Sequence, residues 1–385
     1  MNSHIIRINK ISLFDFSLII LILSMFLNSN ANLRAVIELF FFSVAMIYYA
    51  KGVRPQNKKY ILWNIAFLLY CGISYFYVEH KLTVLYGVRG VLEVSLIGIG
   101  IYIYMSNQDF NEAIFKIINY LKIASVLLVV YICSTVSLSN IIYNRMSGST
   151  FNGNDMAVKW AFTSILLYYS IKEKRKKLNF YNCLFFAVML CMIIFTGSKK
   201  GLLILLIGIA IVFLNYSPKK DRWFSFVVVA LVISVVFYFI FNNAQLYSII
   251  GWRIEALFNP AMDNDSSTRI RREMMEFGLD MFQKKKLVGY GINTFQDYSI
   301  FGTYAHNNYV ELLFDTGIVG TAIYYSIHIS IILKLFFKRE RLCSRVKFFA
   351  LMFCVILLCD YGMVSYGNEF MGMLLAVFCY GFYSR

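Results

Sequence analysis

GYGINTFQDYSIFGTYAHNNYVELLFDTGIVG, residues 289–320, is the most polar and glycine-punctuated passage in an otherwise greasy chain. It holds Gly289, Gly291 and His306, then Asn307, Asn308 and Glu311, and ends on the Gly317/Gly320 pair. A hydrophilic segment of about 243–306 ends inside it, and an apolar run begins there. A histidine at such a junction is reachable from water and from an apolar phase alike. What that phase is follows from the rest of the chain.

The 385 residues are 59% hydrophobic and 18% aromatic, with a mean hydropathy of +0.63. A soluble domain is roughly 45–50% apolar. Charged residues make up 15% and there are three prolines, too few for a disordered or linker-rich chain. Apolar runs recur from end to end, each long enough to cross most of a ~30 Å hydrocarbon layer as a helix. The fold class is therefore an all-α polytopic membrane protein, since backbone polar groups inside a bilayer must be satisfied within the span. Twelve spans are expected, at 11–28, 33–50, 59–78, 82–105, 114–136, 155–171, 179–196, 201–216, 222–242, 307–336, 346–360 and 362–382. The first run lacks a small-residue cleavage site and is followed at once by another span, so no cleavable signal peptide is read. With no internal repeat and no soluble domain, residues 1–385 form one integral membrane domain, with a long loop at 243–306 between spans nine and ten.

The net charge is +16. In a soluble protein that would point to nucleic acid, but no nucleic-acid motif is present and much of the excess sits in short loops. Lys51, Arg54, Lys58 and Lys59 fall in one; Lys172 and Lys174 to Lys177 in a second; Lys219, Lys220 and Arg222 in a third; Lys338, Arg339, Arg341, Arg345 and Lys347 in a fourth. Twelve spans starting inside put all four loops, and both termini, in the cytoplasm, as the positive-inside rule requires. The loop at 106–113, placed on the same side, carries no Lys or Arg. The 243–306 loop then faces outward, and long loops escape that rule. Within it, TRIRREMMEFGLDMFQ (268–283) sets Ile270, Met274, Phe277 and Met281 on one helical face, after Ser266, Ser267 and Thr268 as N-cap candidates. Such an amphipathic helix is expected to lie on the outer membrane surface.

The eight cysteines show no CxxC or metal-type spacing, and all but Cys343 fall in apolar runs, so they read as small buried hydrophobes. No metal site and no cofactor is expected. Asp263 and Asp265 (MDNDSS) match no metal loop. The GYG at 289–291 lacks the strand–turn–helix setting of a nucleotide motif and reads as a turn returning the loop to the membrane.

Five basic residues stand at or beyond the expected outer membrane edge. Arg145 lies in RMSGSTFNGNDMA (145–157). Lys199 and Lys200 lie in the TGSKKG turn (196–201), a short outward loop where the positive-inside pattern is broken. The glycines and Ser198 of that turn leave backbone N–H groups approachable by an anion at a helix start. Arg271 lies on the loop helix. Arg89 lies inside the fourth span, with Glu93 at i+4 as a structural partner. Arg grips a pyrophosphate as a fork and Lys as a point charge. Pyrophosphate is also a good leaving group, so transfer from it needs charge stabilisation and one general base. His306, with an ordinary pKa of ~6.5, suits the base. Asn307 and Glu311 follow it as supporting groups. Tyr298, Phe301 and Tyr304 are suited to stacking on sugars or to an interfacial belt.

On these residues the chain resembles the O-antigen ligase/polymerase superfamily of bacterial membrane glycosyltransferases. RMSGSTFNGNDMA is similar to the family's Arg-x-x-Gly-x-Phe-x-x-x-Asn element, and TGSKKG to its Thr-Gly-Ser-Arg-Lys turn. STRIRREMMEFGLDMFQKKKLVGYGINTF (267–295) is similar to its Ser-Thr-x-x-Arg helix and Gly-x-Gly return, and AHNNYVELLFDTGIVG (305–320) to its His-Asn-x-x-x-Glu block. The four occur in order across roughly residues 85–336. The resemblance implies a GT-C-like, metal-independent, inverting transferase in the bacterial inner membrane, using a glycan on undecaprenyl pyrophosphate as donor. It implies His306 as general base, Arg271 and Lys199 on the pyrophosphate, and Arg145 in support. Lys199 stands where the family has Arg, which keeps the charge and loses the fork. The expected activity is polymerisation of repeat units on the outer face, commonly together with a chain-length regulator. The alternatives are a ligase transferring the finished glycan to lipid A-core and, from another class, a lipid-linked oligosaccharide flippase. A transporter is expected to show repeat symmetry and interrupted helices in both halves.

Overall fold

The computed structural model describes residues 11–27, 30–136, 152–218, 222–256 and 266–384, and among them there is no strand. Helices α1 to α5 are Leu13–Phe26, Ala31–Ala50, Lys59–Ser74, Lys81–Ser106 and Phe110–Thr135. Helices α6 to α9 are Gly153–Glu173, Phe180–Phe195, Lys199–Tyr216 and Arg222–Asn242. Short helical turns cover Ala244–Leu246, Tyr247–Gly251 and Trp252–Glu255. Then come α10, Ser266–Phe282; α11, Asn308–Lys338; α12, Ser344–Asp360; and α13, Glu369–Tyr383. A helix stands at each expected span. Six of them, α2, α4, α5, α8, α9 and α11, are long and apolar enough to cross a membrane by length and composition, while α1, α3, α7 and α13 are apolar but shorter.

Local chemistry starts many of these helices. Ser12 and Asp15 form a reciprocal capping box on α1. Asn30, Asp109, Asn152, Asn179, Ser198, Asn307 and Asn368 each accept a backbone N–H in the first turn of the helix they precede. Each such cap contributes about 1 kcal/mol.

Helix α6 forms the middle of the bundle, buried continuously from Met156 to Ile171. It meets protein on every side, so it tolerates Lys159, Thr163, Ser164 and Ser170 along its length. The Lys159 ammonium pairs with Asp155 at 2.6 Å and donates to the Met25 carbonyl at 2.6 Å. Helix α8 crosses it closely, because a Cβ on Gly201 would stand 2.4 Å from Ala157 Cβ, and one on Gly208 2.2 Å from Ile165 Cδ1. Small residues of this kind allow apolar helices to approach. At the far end of α6, Tyr169 stacks on Phe348 of α12 at 4.3 Å.

The expected continuous span at 307–336 is interrupted. At Gly317 the backbone of α11 takes φ 62° and ψ −167°. The groups freed by the break are taken up by the segment 286–291. Ile318 N–H and Val319 N–H donate to the Lys286 and Leu287 carbonyls at 2.8 and 3.3 Å. In return Tyr290 N–H and Gly291 N–H donate to the Phe314 and Asp315 carbonyls at 3.0 and 2.7 Å. Only a glycine pair allows this approach. A Cβ at Gly317 would lie 2.3 Å from Leu287 O, and one at Gly289, itself at φ 69°, 2.5 Å from Asp315 C and O. The GYG passage is thus more than a turn, since it completes the hydrogen bonding of a broken helix.

Two further expectations change. Helix α10 does not keep its apolar face for a membrane surface. Met274, Phe277 and Met281 pack with Tyr290, Phe295, Val310 and Phe314 into a separate small core. Gly278 brings the helix in, with its ideal Cβ 2.4 Å from Val310 Cγ1, while Ile270 stays outside at 38% exposure. The cysteines are all free thiols, but only Cys71, Cys359 and Cys379 are buried; Cys133, Cys183 and Cys191 sit on the outward faces of apolar helices.

Candidate active site around His306

The loop into α11 builds the site. Asn307 caps α11 by accepting Tyr309 N–H and Val310 N–H at 3.0 and 3.1 Å, and its amide donates to Met275 Sδ of α10 at 3.2 Å. Glu311, one turn on and buried, accepts Ala305 N–H at 2.5 Å. These two contacts clamp the residues on either side of His306. Between them His306 takes φ 55°, a left-handed conformation uncommon for a side-chain-bearing residue and costing of order 1–3 kcal/mol. Asn307 and Glu311 are therefore supports for the histidine, holding its backbone in that turn.

The imidazole is half-buried beside Tyr304, with ring centroids 4.2 Å apart. Its pKa is lowered to about 4, first by burial and then by the positive charges of Arg271 and Lys200. Near neutral pH it is therefore an uncharged base. Arg271 acts electrostatically on Tyr304 as well, together with Glu311 and Asp155.

The TGSKKG turn delivers Lys200. Thr196 Oγ1 donates to Ile193 O at 2.6 Å, Gly197 takes φ 62°, and Ser198 Oγ accepts Gly201 N–H at 3.2 Å as the cap of α8. With Gly201 seated on Ala157, Lys200 is carried to the same end as Asp155, and its ammonium donates to Gly362 O at 3.2 Å. Arg271, Asp155 and Asp360 all act on it electrostatically. Of the two turn lysines, the sequence places Lys199 on the pyrophosphate and Lys200 in support; the Lys200 charge acts on His306. Lys199 is the first residue of α8 and is partly exposed.

Arg89 stays with its structural partner, Nε to Glu93 Oε1 at 2.8 Å, and its side chain is 47% exposed. Arg145, with Asp263 and Asp265, lies outside the described residues. Among the described residues no group of His, Cys, Asp and Glu forms a metal site.

Three acidic residues were not singled out by sequence reasoning. Asp155 pairs with Lys159 and acts on Lys200. Asp360 ends α12 fully buried, accepting from Tyr325 Oη at 2.9 Å and Asn308 Nδ2 at 3.3 Å. Asp315 accepts Asn293 N–H at 2.7 Å and Tyr366 Oη at 3.0 Å, tying the return segment to α11. The available signal was a carboxylate at the end of an apolar run, FCVILLCD for Asp360 and NYVELLFD for Asp315.

No curated protein and no solved structure matches the chain. A family model described as O-antigen ligase matches residues 184–325, a stretch holding Lys199, Lys200, Arg271, His306 and Glu311. The match covers 142 of the 385 residues, and over that stretch the chain is similar to the O-antigen ligase family, which supports the resemblance to the O-antigen ligase/polymerase superfamily.

Proposed function

We propose that the chain is a membrane glycosyltransferase that polymerises saccharide repeat units carried on undecaprenyl pyrophosphate, working on the outer face of the bacterial inner membrane. The observation that carries this reading is an uncharged histidine, held in a left-handed turn beside Tyr304, on which the charges of Arg271 and Lys200 act from distant segments. His306 takes the proton of an acceptor hydroxyl. The freed oxygen attacks the anomeric carbon of the donor from the face opposite its pyrophosphate, so the configuration inverts. The carbon–oxygen bond to the pyrophosphate breaks, and Arg271 and Lys200 hold the charge that develops on it, with Lys199 beside them. The proton on His306 passes to the released pyrophosphate or to water, which balances the step. Arg145 is assigned a supporting contact on the donor.

The ligase reading uses the same donor chemistry with a different acceptor, and the family match bears on both readings alike. The surface glycan of a deletion strain complemented with His306→Ala separates the two. A polymerase leaves glycans capped with single repeat units; a ligase leaves full-length chains on the lipid carrier that never reach the acceptor. A normal length distribution in that strain overturns the role given to His306.

A further inference from the structure

A cavity of about 320 Å³ opens between the first turns of α4, the return segment and the loop before α13. Its walls include Tyr86, Asn293, Tyr304, Glu311, Tyr366 and Asn368. Ligand sites span ~300–1,000 Å³, so this one has room for a small ring compound and none for a lipid.

The wall chemistry narrows the class. None of the lining residues is Lys or Arg, and the sole ionisable carboxyl among them is Glu311. A carboxyl group exchanges hydrogen bonds with sugar hydroxyls. Glu311 uses Oε2 on Ala305 N–H, which leaves Oε1 for a ligand. Asn368 uses its carbonyl oxygen to cap α13 at Met371 N–H, 3.0 Å, which leaves its NH₂ donors. Asn293 is fixed by its backbone N–H on Asp315, and its side-chain amide has no hydrogen-bond partner among the described residues. Tyr86 and Tyr304, 60% and 39% exposed, offer flat aromatic faces at the water edge. Amides and a carboxyl group for hydroxyls, with aromatic faces for the apolar C–H face of a ring, describe a site for a neutral sugar.

Tyr304 belongs to both places, lining this cavity while its ring lies 4.2 Å from that of His306. We infer that the cavity is the subsite for the acceptor, binding the neutral monosaccharide unit whose hydroxyl is presented to His306. With no Lys or Arg in its wall the cavity offers the donor pyrophosphate no cation, and that group is assigned to Arg271 and Lys200, whose charges act on His306. This division rests on the glycosyltransferase reading.

The test uses the full chain in lipid nanodiscs and saturation-transfer NMR. The probes are glucose, galactose, N-acetylglucosamine, N-acetylgalactosamine and rhamnose, with inorganic pyrophosphate as competitor. At least one sugar is expected to receive saturation. That signal persists in Arg271→Ala and under excess pyrophosphate, and binding weakens about tenfold in Tyr86→Ala and in Asn293→Ala. Tyr86 is largely exposed, and a gel-filtration profile matching the parent shows that its variant is folded. Transfer to none of the five sugars, displacement by pyrophosphate, or indifference to both cavity variants overturns the subsite. If any of these occurs while His306→Ala still abolishes polymerisation, the subsite falls and the glycosyltransferase reading stands.

Discussion

His306 would be a poor base if its two cationic neighbours were permanent, since they depress its pKa to about 4 together with burial. A bound pyrophosphate offsets them and raises the basicity of the imidazole, so the base strengthens when the donor is in place. The sign follows. Free enzyme keeps the histidine uncharged down to about pH 4, so kcat/KM, which reports the free enzyme, falls only near there, while kcat, which reports the loaded enzyme, falls at a higher pH. Arg271→Ala removes one repelling charge and moves the kcat/KM limb upward. A parent limb at the ordinary histidine value of ~6.5 would contradict this arrangement. The two lysines of the turn differ likewise. Lys200→Ala is expected to lower kcat about 10²-fold, as loss of one charge-stabilising donor does, and Lys199→Ala less than about 10-fold. Equal losses, measured with a lipid-linked donor, would return the role to both. His306 and Arg271 stood out in the sequence because they are polar groups in a hydrophilic loop beside an apolar run. The approach of Lys200 to Asp155 and Gly362 did not, because it depends on Gly201 resting on Ala157, a contact between helices far apart in sequence.

Element α11 joins the site to the bundle. Its first piece, residues 308–316, carries the buried Asn308, Glu311 and Asp315; its second, after Gly317, is a long apolar helix. Sequence periodicity gave the helix and placed Gly317 in it. It did not give the break, because the compensating hydrogen bonds come from residues 286–291, nearly thirty positions earlier in the chain. Among the described residues one long helix is broken, in the C-terminal half, where a transporter is expected to show interruptions in both halves. Two substitutions test the joint. Gly302 and Gly317 both have φ near +60°, but a Cβ at Gly302 meets nothing within 4 Å, whereas one at Gly317 lies 2.3 Å from Leu287 O. Gly302→Ala should cost only the left-handed strain, ~1–2 kcal/mol. Gly317→Ala should cost more than about 3 kcal/mol, visible as a lower unfolding temperature in detergent and lower abundance. The Glu311 clamp is tested by Glu311→Ala, expected to lower kcat about 10- to 100-fold through a displaced His306, with Glu311→Gln recovering most of it because the accepting oxygen is kept. Gln no better than Ala would mean that the charge matters and the clamp does not.

At the scale of the whole molecule, the helix ends sort by chemistry. The basic loops follow the C-terminal ends of α2, α6, α8 and α11. The turn before α8, the loop before α13 and the His306 loop come together at the other end, where Lys200 donates to Gly362 O at 3.2 Å. The helices themselves were the most legible part of the fold, because the length of each apolar run answers to the bilayer and not to tertiary packing. Where packing overrode that logic, the sequence misled. Helix α10 turned its apolar face to protein, and α6 carries Lys159 in the middle of the bundle, where its partners Asp155 and Met25 O make the charge tolerable. The twelve-span reading makes one further claim, that the His306 end faces outward and the basic loops inward. Cys343 is an exposed thiol in the basic loop between α11 and α12, and Gln283 is exposed just after α10. In a variant keeping Cys343 as its one cysteine, a membrane-impermeant maleimide should label only after the membrane is opened. In a cysteine-free variant carrying Gln283→Cys, the same reagent should label intact spheroplasts. An impermeant thiol blocker added first from outside should protect Gln283→Cys and leave Cys343 reactive on lysis. The reverse pattern would put the pyrophosphate cations and His306 in the cytoplasm, and with them the acceptor chemistry, which no assembly of repeat units on the outer face could survive.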